Sequence, residues 1–520
     1  MSKQFNYGIN HLSIGICLDI AAGKTKGVIG AEAAKHIKAS WQEVEKIVHA
    51  QKPVYGINTG FGPLCDTRIS EKDTSLLQNN LLKSHSVGVG KSIPTEIAKL
   101  MLITKVHALA QGYSGIAPAT LERIVWHIDN DVIPIVPEKG SVGASGDLAP
   151  LSHLFLPLIG LGEVCVMDEK FPAGKILKEH GLNPLVLGPK EGLALINGTQ
   201  FILAFAIKAV QRLDNALNLA DLIGAMSLEG LMGSARPFDE RIHSIRPFKG
   251  TKLVAQRLFT ILKDSEICNS HIDCDRVQDP YSLRCMPQVH GASRNAWLHL
   301  KELTEIELNS VTDNPIIFNA GDTISGGNFH GQPLALPLDY ATVAAAELGN
   351  IADRRCYLMS EGRYGLPKVL INDPGLNSGL MIPQYTTAAL VTENKTLCFP
   401  ASADSVPTSL GQEDHVSMGS ISGRKLHQVL DNLEYIQAIE LLYATQAMDF
   451  RRPLKSTPVI EACYSLSRGQ VPFIQEDRIF SVDINQLHQL VTNGSLLAKA
   501  NETALKHNIK LNNDDEFGIY

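Results

Sequence analysis

Apolar residues along this chain recur mostly at three- and four-residue steps, the period of a helix with one buried face. Ala34, Ile37, Trp41, Val44 and Val48 trace one such face early on. A second helix is predicted from Thr95, placed to cap it, to Gln111, with Gly112 as its stop. Three long segments follow: Thr199 to about Met232, Leu338 to Met359, and Gly423 to Asp449. They are apolar around most of their circumference, so they must be covered by neighbours and read as the staves of a central bundle. A fourth stave is predicted from Ala292 to Val311, ended by the SVTDNP turn before Pro315. Between the staves lie Gly-, Pro- and Asn-rich loops, where polar groups on a rigid scaffold usually form a site. The expected architecture is all-α, with an N-terminal active-site part of loops and shorter helices over 1–198 and a long-helix bundle with C-terminal helices over 199–520.

Composition narrows the function classes. The 520 residues carry a formal net charge of -7, so there is no basic field to favour nucleic acid or an anionic membrane. The most apolar stretch, 148–162, contains Pro150, His153 and Pro157 and is too short to span a bilayer. The opening MSKQFNYGIN lacks the basic and apolar regions of a signal peptide. Nine cysteines without a CxxC pair point to reduced thiols and a cytoplasmic protein. Cys268, His271 and Cys274 lie close together but lack a fourth ligand, so ordinary buried thiols are expected there and no metal.

The sharpest chemical signal is GSVGASGDLAPLSHL, from Gly140 to Leu154. In Ala144-Ser145-Gly146 the glycine nitrogen can attack the alanine carbonyl if the backbone is forced into a tight turn, a geometry glycine tolerates. Loss of two waters then leaves an exocyclic methylidene on a conjugated ring, an electrophile that no ordinary side chain supplies. The bare triplet is common in helix-entry turns; the flanking GSVG, Asp147 and Pro150 make it specific.

Six further blocks stand in order along the chain: VYGINTGFG at 54–62, LLKSHSVGVG at 81–90, EGLALINGTQ at 191–200, VQDPYSLRCMPQ at 277–288, SGGNFHGQP at 325–333 and GQEDHVSMG at 411–419. With the triplet, they resemble the histidine branch of the aromatic amino acid lyases, whose 4-methylideneimidazol-5-one (MIO) group forms from this triplet. The resemblance implies a fumarase/aspartase-like helical fold and a homotetramer whose active sites combine loops from three subunits. It implies no metal and no nucleotide; the Gly60-Phe61-Gly62 turn lacks the strand and helix of a phosphate cradle. The stretch 360–375 departs from the common family sequence, which bears on a lid or subunit contact rather than on the chemistry.

By the same resemblance, Tyr55 is the essential tyrosine and a candidate base for the β-proton. Asn197, otherwise a helix cap, hydrogen-bonds the MIO ring and holds its developing charge. Arg284 grips the substrate carboxylate with its planar fork. Tyr281 transfers protons and contacts the MIO, Gln278 forms a polar wall and Phe329 packs beside the ring. If PYSLR is helical, Tyr281 and Arg284 share a face. Glu413 stands where aromatic-specific relatives carry glutamine, and a carboxylate suits an imidazole rather than a phenyl ring. His85 contacts the substrate ring. Which of Tyr55 and Glu413 takes the β-proton stays open. A deaminating lyase acting on L-histidine to give trans-urocanate is expected; a tyrosine or phenylalanine ammonia-lyase, an MIO aminomutase and an inactive helical scaffold are the alternatives.

Overall fold

The computed structural model describes residues 3–49, 54, 56–60, 62, 69–70, 73–319, 322–511 and 515–519. Four long helices form its axis: Gln200–Gly230, Met286–Leu308, Gln332–Ser360 and Gly419–Asp449, here the first to fourth staves. The first is buried along almost its whole length, from Phe201 and Phe205 to Met226 and Leu228. Its Ala- and Leu-rich sequence permits close packing on several sides at little conformational cost. The expected all-α architecture is therefore what the chain adopts, with only short two- and three-stranded sheets among the described residues.

Three staves begin before the points their sequences suggest. The third was expected from Leu338, after Pro337, yet starts at Gln332 with Pro337 inside it. Leu334 and Ala335 donate to the Gly331 carbonyl, and burial of Leu334, Ala335 and Pro337 outweighs the one hydrogen bond that proline forfeits. The second stave starts at Met286 rather than Ala292, with Pro287 in its first turn, where the missing N–H costs nothing. The fourth starts at Gly419, four residues before Gly423. A side chain at Gly419 would meet Ile202 Cδ1 at 2.8 Å, so the glycine lets the first and fourth staves approach at their shared end. The predicted helix from Thr95 runs Thr95–Ala110, but Pro94 occupies its cap position and Thr95 is its first helical residue. Proline's fixed φ supplies the entry turn there without a side-chain cap.

At mid-height the staves are tied by buried charge. Asp221 of the first accepts from Arg294 (2.6 Å), Arg257 (3.0 Å) and His290 (3.0 Å). Arg355 of the third meets Glu440 of the fourth at 2.5 Å, and Ser227 donates to the same carboxylate at 2.8 Å. Such pairs add little net stability over apolar packing, but breaking one strands a buried charge, so they fix which stave faces which. The main apolar cluster gathers residues from Phe5 to Ala220 together with parts of all the other staves. Cys274 is exposed and Cys268 half-buried, which corrects the expectation of buried thiols: the segment carrying them lies over the end of the first stave, not within the core.

Candidate functional site

Two groups of polar residues sit at opposite ends of the first stave. At its N-terminal end the loop 140–147 crosses the helix entrance. Gly143, Ser145 and Gly146 all take positive φ, +81°, +52° and +81°, so the triplet is bent into consecutive left-handed residues that cost a serine energy unless its surroundings hold it. Two main-chain bonds hold it: the Gly198 N–H donates to the Ser145 carbonyl (3.3 Å), and the Asp147 N–H donates to the Gly198 carbonyl (2.8 Å). That bridge uses the neighbours of Gly146 and leaves the Gly146 N–H out of the ladder. A Cβ at Gly146 would lie 2.1 Å from the Gly198 oxygen, so only glycine fits.

Asp147 anchors the loop. Its Oδ2 accepts from the N–H groups of Phe201 (3.1 Å) and Ile202 (3.0 Å), and its Oδ1 from the Ser141 hydroxyl (2.9 Å). The residue after the triplet thus caps the stave and satisfies two of its unpaired donors. Burial pushes its carboxyl up to about 7, against the opposing pull of these hydrogen bonds.

Glu413 reaches the triplet from the loop before the fourth stave. Its Oε1 accepts from the Ser145 hydroxyl at 2.8 Å, while Oε2 accepts from Ser409 (2.6 Å) and Thr408 (3.2 Å). Glu413, Asp414 and His415 lie in a loop, not on a helix. Ala144 packs with Val416 and Met418, and the Met418 N–H donates to the Val142 carbonyl at 3.0 Å. His85 ends the Thr74–His85 helix, its Nδ1 shared between the Leu81 carbonyl (2.9 Å) and Ser84 Oγ (3.0 Å). Burial lowers its pKa, the Leu81 hydrogen bond opposes this, and so does the charge of Glu413, which faces it. Phe329 is half-buried in the turn leading to the third stave; the adjacent His330 bonds the His415 carbonyl at 3.2 Å.

Asn197 closes the Glu191–Ile196 helix and is buried. Its side-chain amide donates to the Asn314 carbonyl (2.7 Å) and to Asp313 Oδ1 (3.3 Å). Asp313 in turn pairs with the buried Lys190 at 2.5 Å. A second buried lysine, Lys105, donates to the Asn197 carbonyl. Sequence reasoning missed Lys105, Lys190, Asp313 and the capping role of Asp147. Lys105 did leave a signal, as a lone charge in the apolar run from Leu100 to Ala110.

The second group lies past the C-terminal end of the first stave. Tyr281 and Arg284 do share a short helix, Tyr281–Arg284, with the guanidinium 4.5 Å from the Tyr281 ring centre. Arg284 donates to the Asp279 carbonyl (2.9 Å) and to Gln278 Oε1 (3.0 Å). Asp279 accepts from the Ser234 N–H at 2.7 Å, and Arg276 donates to the Leu231 carbonyl at 3.2 Å. Gln278 and Arg284 line a cavity of about 700 Å³ with Met232, His271 and Arg276. Tyr281 is 71% exposed. The 31 residues between the two groups span about 45 Å at 1.5 Å per residue, far beyond the reach of an arginine. Within one chain, Ala144, Ser145, Gly146, Asn197, His85 and Glu413 come together; Gln278, Tyr281 and Arg284 do not join them. Tyr55 lies outside the described residues.

Among the described residues there is no cluster of histidine, cysteine and carboxylate groups able to hold a metal ion, and no helix is long and apolar enough to cross a membrane. The family described as aromatic amino acid lyase matches residues 12–469. A histidine ammonia-lyase of Myxococcus xanthus is 47% identical over 483 residues, 92% of this chain and 95% of that protein. The crystal structure of histidine ammonia-lyase from Trypanosoma cruzi superposes with a TM-score of 0.89 at 39% identity, covering 99% of this chain and 97% of that one. A tyrosine aminomutase from Streptomyces globisporus superposes at 0.91 with 34% identity, covering 97% and 99%.

Proposed function

Because the chain belongs to the aromatic amino acid lyase family, we propose that it eliminates ammonia non-oxidatively from L-histidine to give trans-urocanate, using an MIO group formed from Ala144-Ser145-Gly146. The observation that carries this reading is the Glu413 carboxylate, 2.8 Å from the Ser145 hydroxyl. It sets an anionic acceptor against the carbon that would become electrophilic, where an imidazole N–H gains a hydrogen bond and a phenyl ring only desolvates a charge. The residues present fit the group. The left-handed turn at Ser145 and Gly146 folds the triplet tightly, and the Gly146 nitrogen stands outside the main-chain bridge that clamps its neighbours.

When formed, this group supplies an electrophilic exocyclic carbon that takes the substrate amine and makes it a better leaving group. The chain's own residues do the rest. Glu413 and His85 bind the imidazole, and Phe329 packs beside it. Tyr55 or Glu413 removes the β-proton. Arg284, with Gln278 beside it, binds the carboxylate in two parallel hydrogen bonds, and Tyr281 serves proton transfer. Asn197 would hydrogen-bond the ring and hold its developing negative charge. Since Arg284 and Tyr281 lie towards the far end of a stave about 45 Å long, the end opposite Ser145, the carboxylate-binding group comes from a second copy. A homotetramer with shared active sites supplies it, residues 1–198 of one copy carrying the electrophile and the 199–520 bundle of another the arginine. The proposal includes a cytoplasmic location.

Purified protein is incubated separately with histidine, tyrosine and phenylalanine, and the ultraviolet spectrum is followed. Growth of the urocanate band with histidine alone is expected. Coumarate or cinnamate with no reaction of histidine would overturn the substrate, and a β-amino acid without free ammonia would make the protein an aminomutase.

A further inference from the structure

Lys105 lies in the middle of the Thr95–Ala110 helix, in which every residue from Ile97 onwards is buried. It is itself 1% exposed. A lysine so placed gives up its hydration, a cost of several kcal/mol that an apolar residue would avoid, so what its Nζ touches matters. It donates to the carbonyl oxygen of Asn197 and lies 3.5 Å from Gln200 Oε1. That carbonyl belongs to the peptide whose N–H is the Gly198 N–H, and the Gly198 N–H donates to the Ser145 carbonyl. The three groups form one line: lysine N–H to peptide oxygen, then peptide N–H to the oxygen of the reactive serine. A hydrogen bond accepted at one end of a peptide polarises it and strengthens the bond donated at the other.

We propose that Lys105 is a positioning residue for the electrophile, acting through the Asn197–Gly198 peptide to stabilise negative charge on the Ser145 carbonyl oxygen. The inference rests on the MIO reading above and deepens it. Two steps place charge on that oxygen. In building the group, Ser145 loses its Cα proton and, from Cβ, its hydroxide; together these leave as water. The electron pair of the C–H bond passes through the carbonyl as an enolate before it forms the Cα–Cβ double bond. In turnover, an amine adding to Cβ pushes the double-bond electrons onto the same oxygen. One donor therefore serves both maturation and catalysis, and Lys105 sharpens it without touching substrate. The following peptide is held as well, its Gly198 carbonyl accepting from the Asp147 N–H at 2.8 Å, so Gly198 is restrained on both sides.

The test uses full-length Lys105→Met, which removes both charge and donor, and Lys105→Gln, which keeps a neutral donor. Intact mass is followed from synthesis onward, with thermal unfolding as a control and kcat and KM measured on the matured fraction. The expected result is a Met variant that accumulates chains lacking one water rather than two. Its kcat falls about tenfold, with KM changed less than about twofold, and the Gln variant lies between it and wild type. The proposal is overturned if the Met variant loses both waters at the wild-type rate with kcat within about twofold, or if only KM changes. It is also overturned if neither variant folds, since the lysine would then serve folding alone. Failure of the underlying reading looks different: the wild-type chain itself would never lose two waters.

Discussion

The two ends of the first stave are built on opposite plans. At the N-terminal end the polar groups are tied to one another: Asp147 caps the helix, Glu413 holds the Ser145 hydroxyl, Asn197 is bonded to Asp313 and Asn314, and Lys105 to the Asn197 carbonyl. At the C-terminal end Tyr281 stands in the open and Arg284 borders a cavity, bonded only to neighbours on its own segment. Under the proposed function, the difference follows from the work each end has to do. Folding a triplet into strained left-handed residues requires surroundings that over-determine it. Gripping a carboxylate requires a guanidinium whose partners are weak enough to be replaced. An end finished within the chain and an end left open fit the proposed site, completed by a second copy.

The comparison breaks most directly by complementation. Ser145→Ala and Arg284→Gln are each expected to lose activity by at least about a thousandfold, Ser145→Ala also losing the two-water mass change while keeping the fold. Co-expression of the two should restore a fraction of wild-type activity, because some mixed sites receive an intact triplet from one copy and an intact arginine from another. No recovery in co-purified mixed oligomers would refute the shared site. Next in size, Glu413→Gln should lower kcat/KM for histidine by about 10- to 100-fold, the scale of one charged hydrogen bond, while intact mass still shows two waters lost. Unchanged histidine kinetics would remove Glu413 from substrate selection.

The remaining two expectations compare the carboxyls at the stave's ends. Glu229, in its last turn, is buried and accepts from Ser265 and Ser456, and burial pushes it up to about 7. A carboxyl raised in the folded state binds its proton more tightly there than in the unfolded chain. Its contribution is therefore present below about pH 4.5 and is lost as pH rises to about 7. Glu229→Gln should flatten that decline, leaving the variant more stable than wild type above pH 7 by about 1–3 kcal/mol. Parallel denaturation curves for both proteins across pH 5 to 8 would contradict this. At the other end, Asp147→Ala should cost about 1–2 kcal/mol by stranding the N–H groups of Phe201 and Ile202, and it should slow the two-water loss. A variant that is destabilised yet matures normally would show that the cap serves the stave alone.

Much of this was readable from the chain. The staves announce themselves because residues that bury on all sides leave a long apolar run without proline. Three of their starts lie earlier than the spacing suggests because proline and glycine look like breakers, whereas Pro287 sits in a first turn and Pro337 is retained by burial. Tyr281 and Arg284 were rightly placed on one helical face, since that depends on three residues of spacing. Lys105 and Lys190 were passed over, because a buried lysine differs from an exposed one only in what packs around it.

The sequence alone determined the helical bundle, the Ala144-Ser145-Gly146 triplet and the residue types available for an ammonia-lyase. These follow from periodicity and covalent adjacency, which act over a few residues. Only the tertiary structure decided that Glu413 meets Ser145 across 268 positions, that Lys105 bonds the peptide at Asn197, and that Arg284 stands a helix length away from the triplet. Those pairings depend on how rigid staves stack, and a rigid helix of 31 residues separates its two ends as firmly as it fixes the groups at each one.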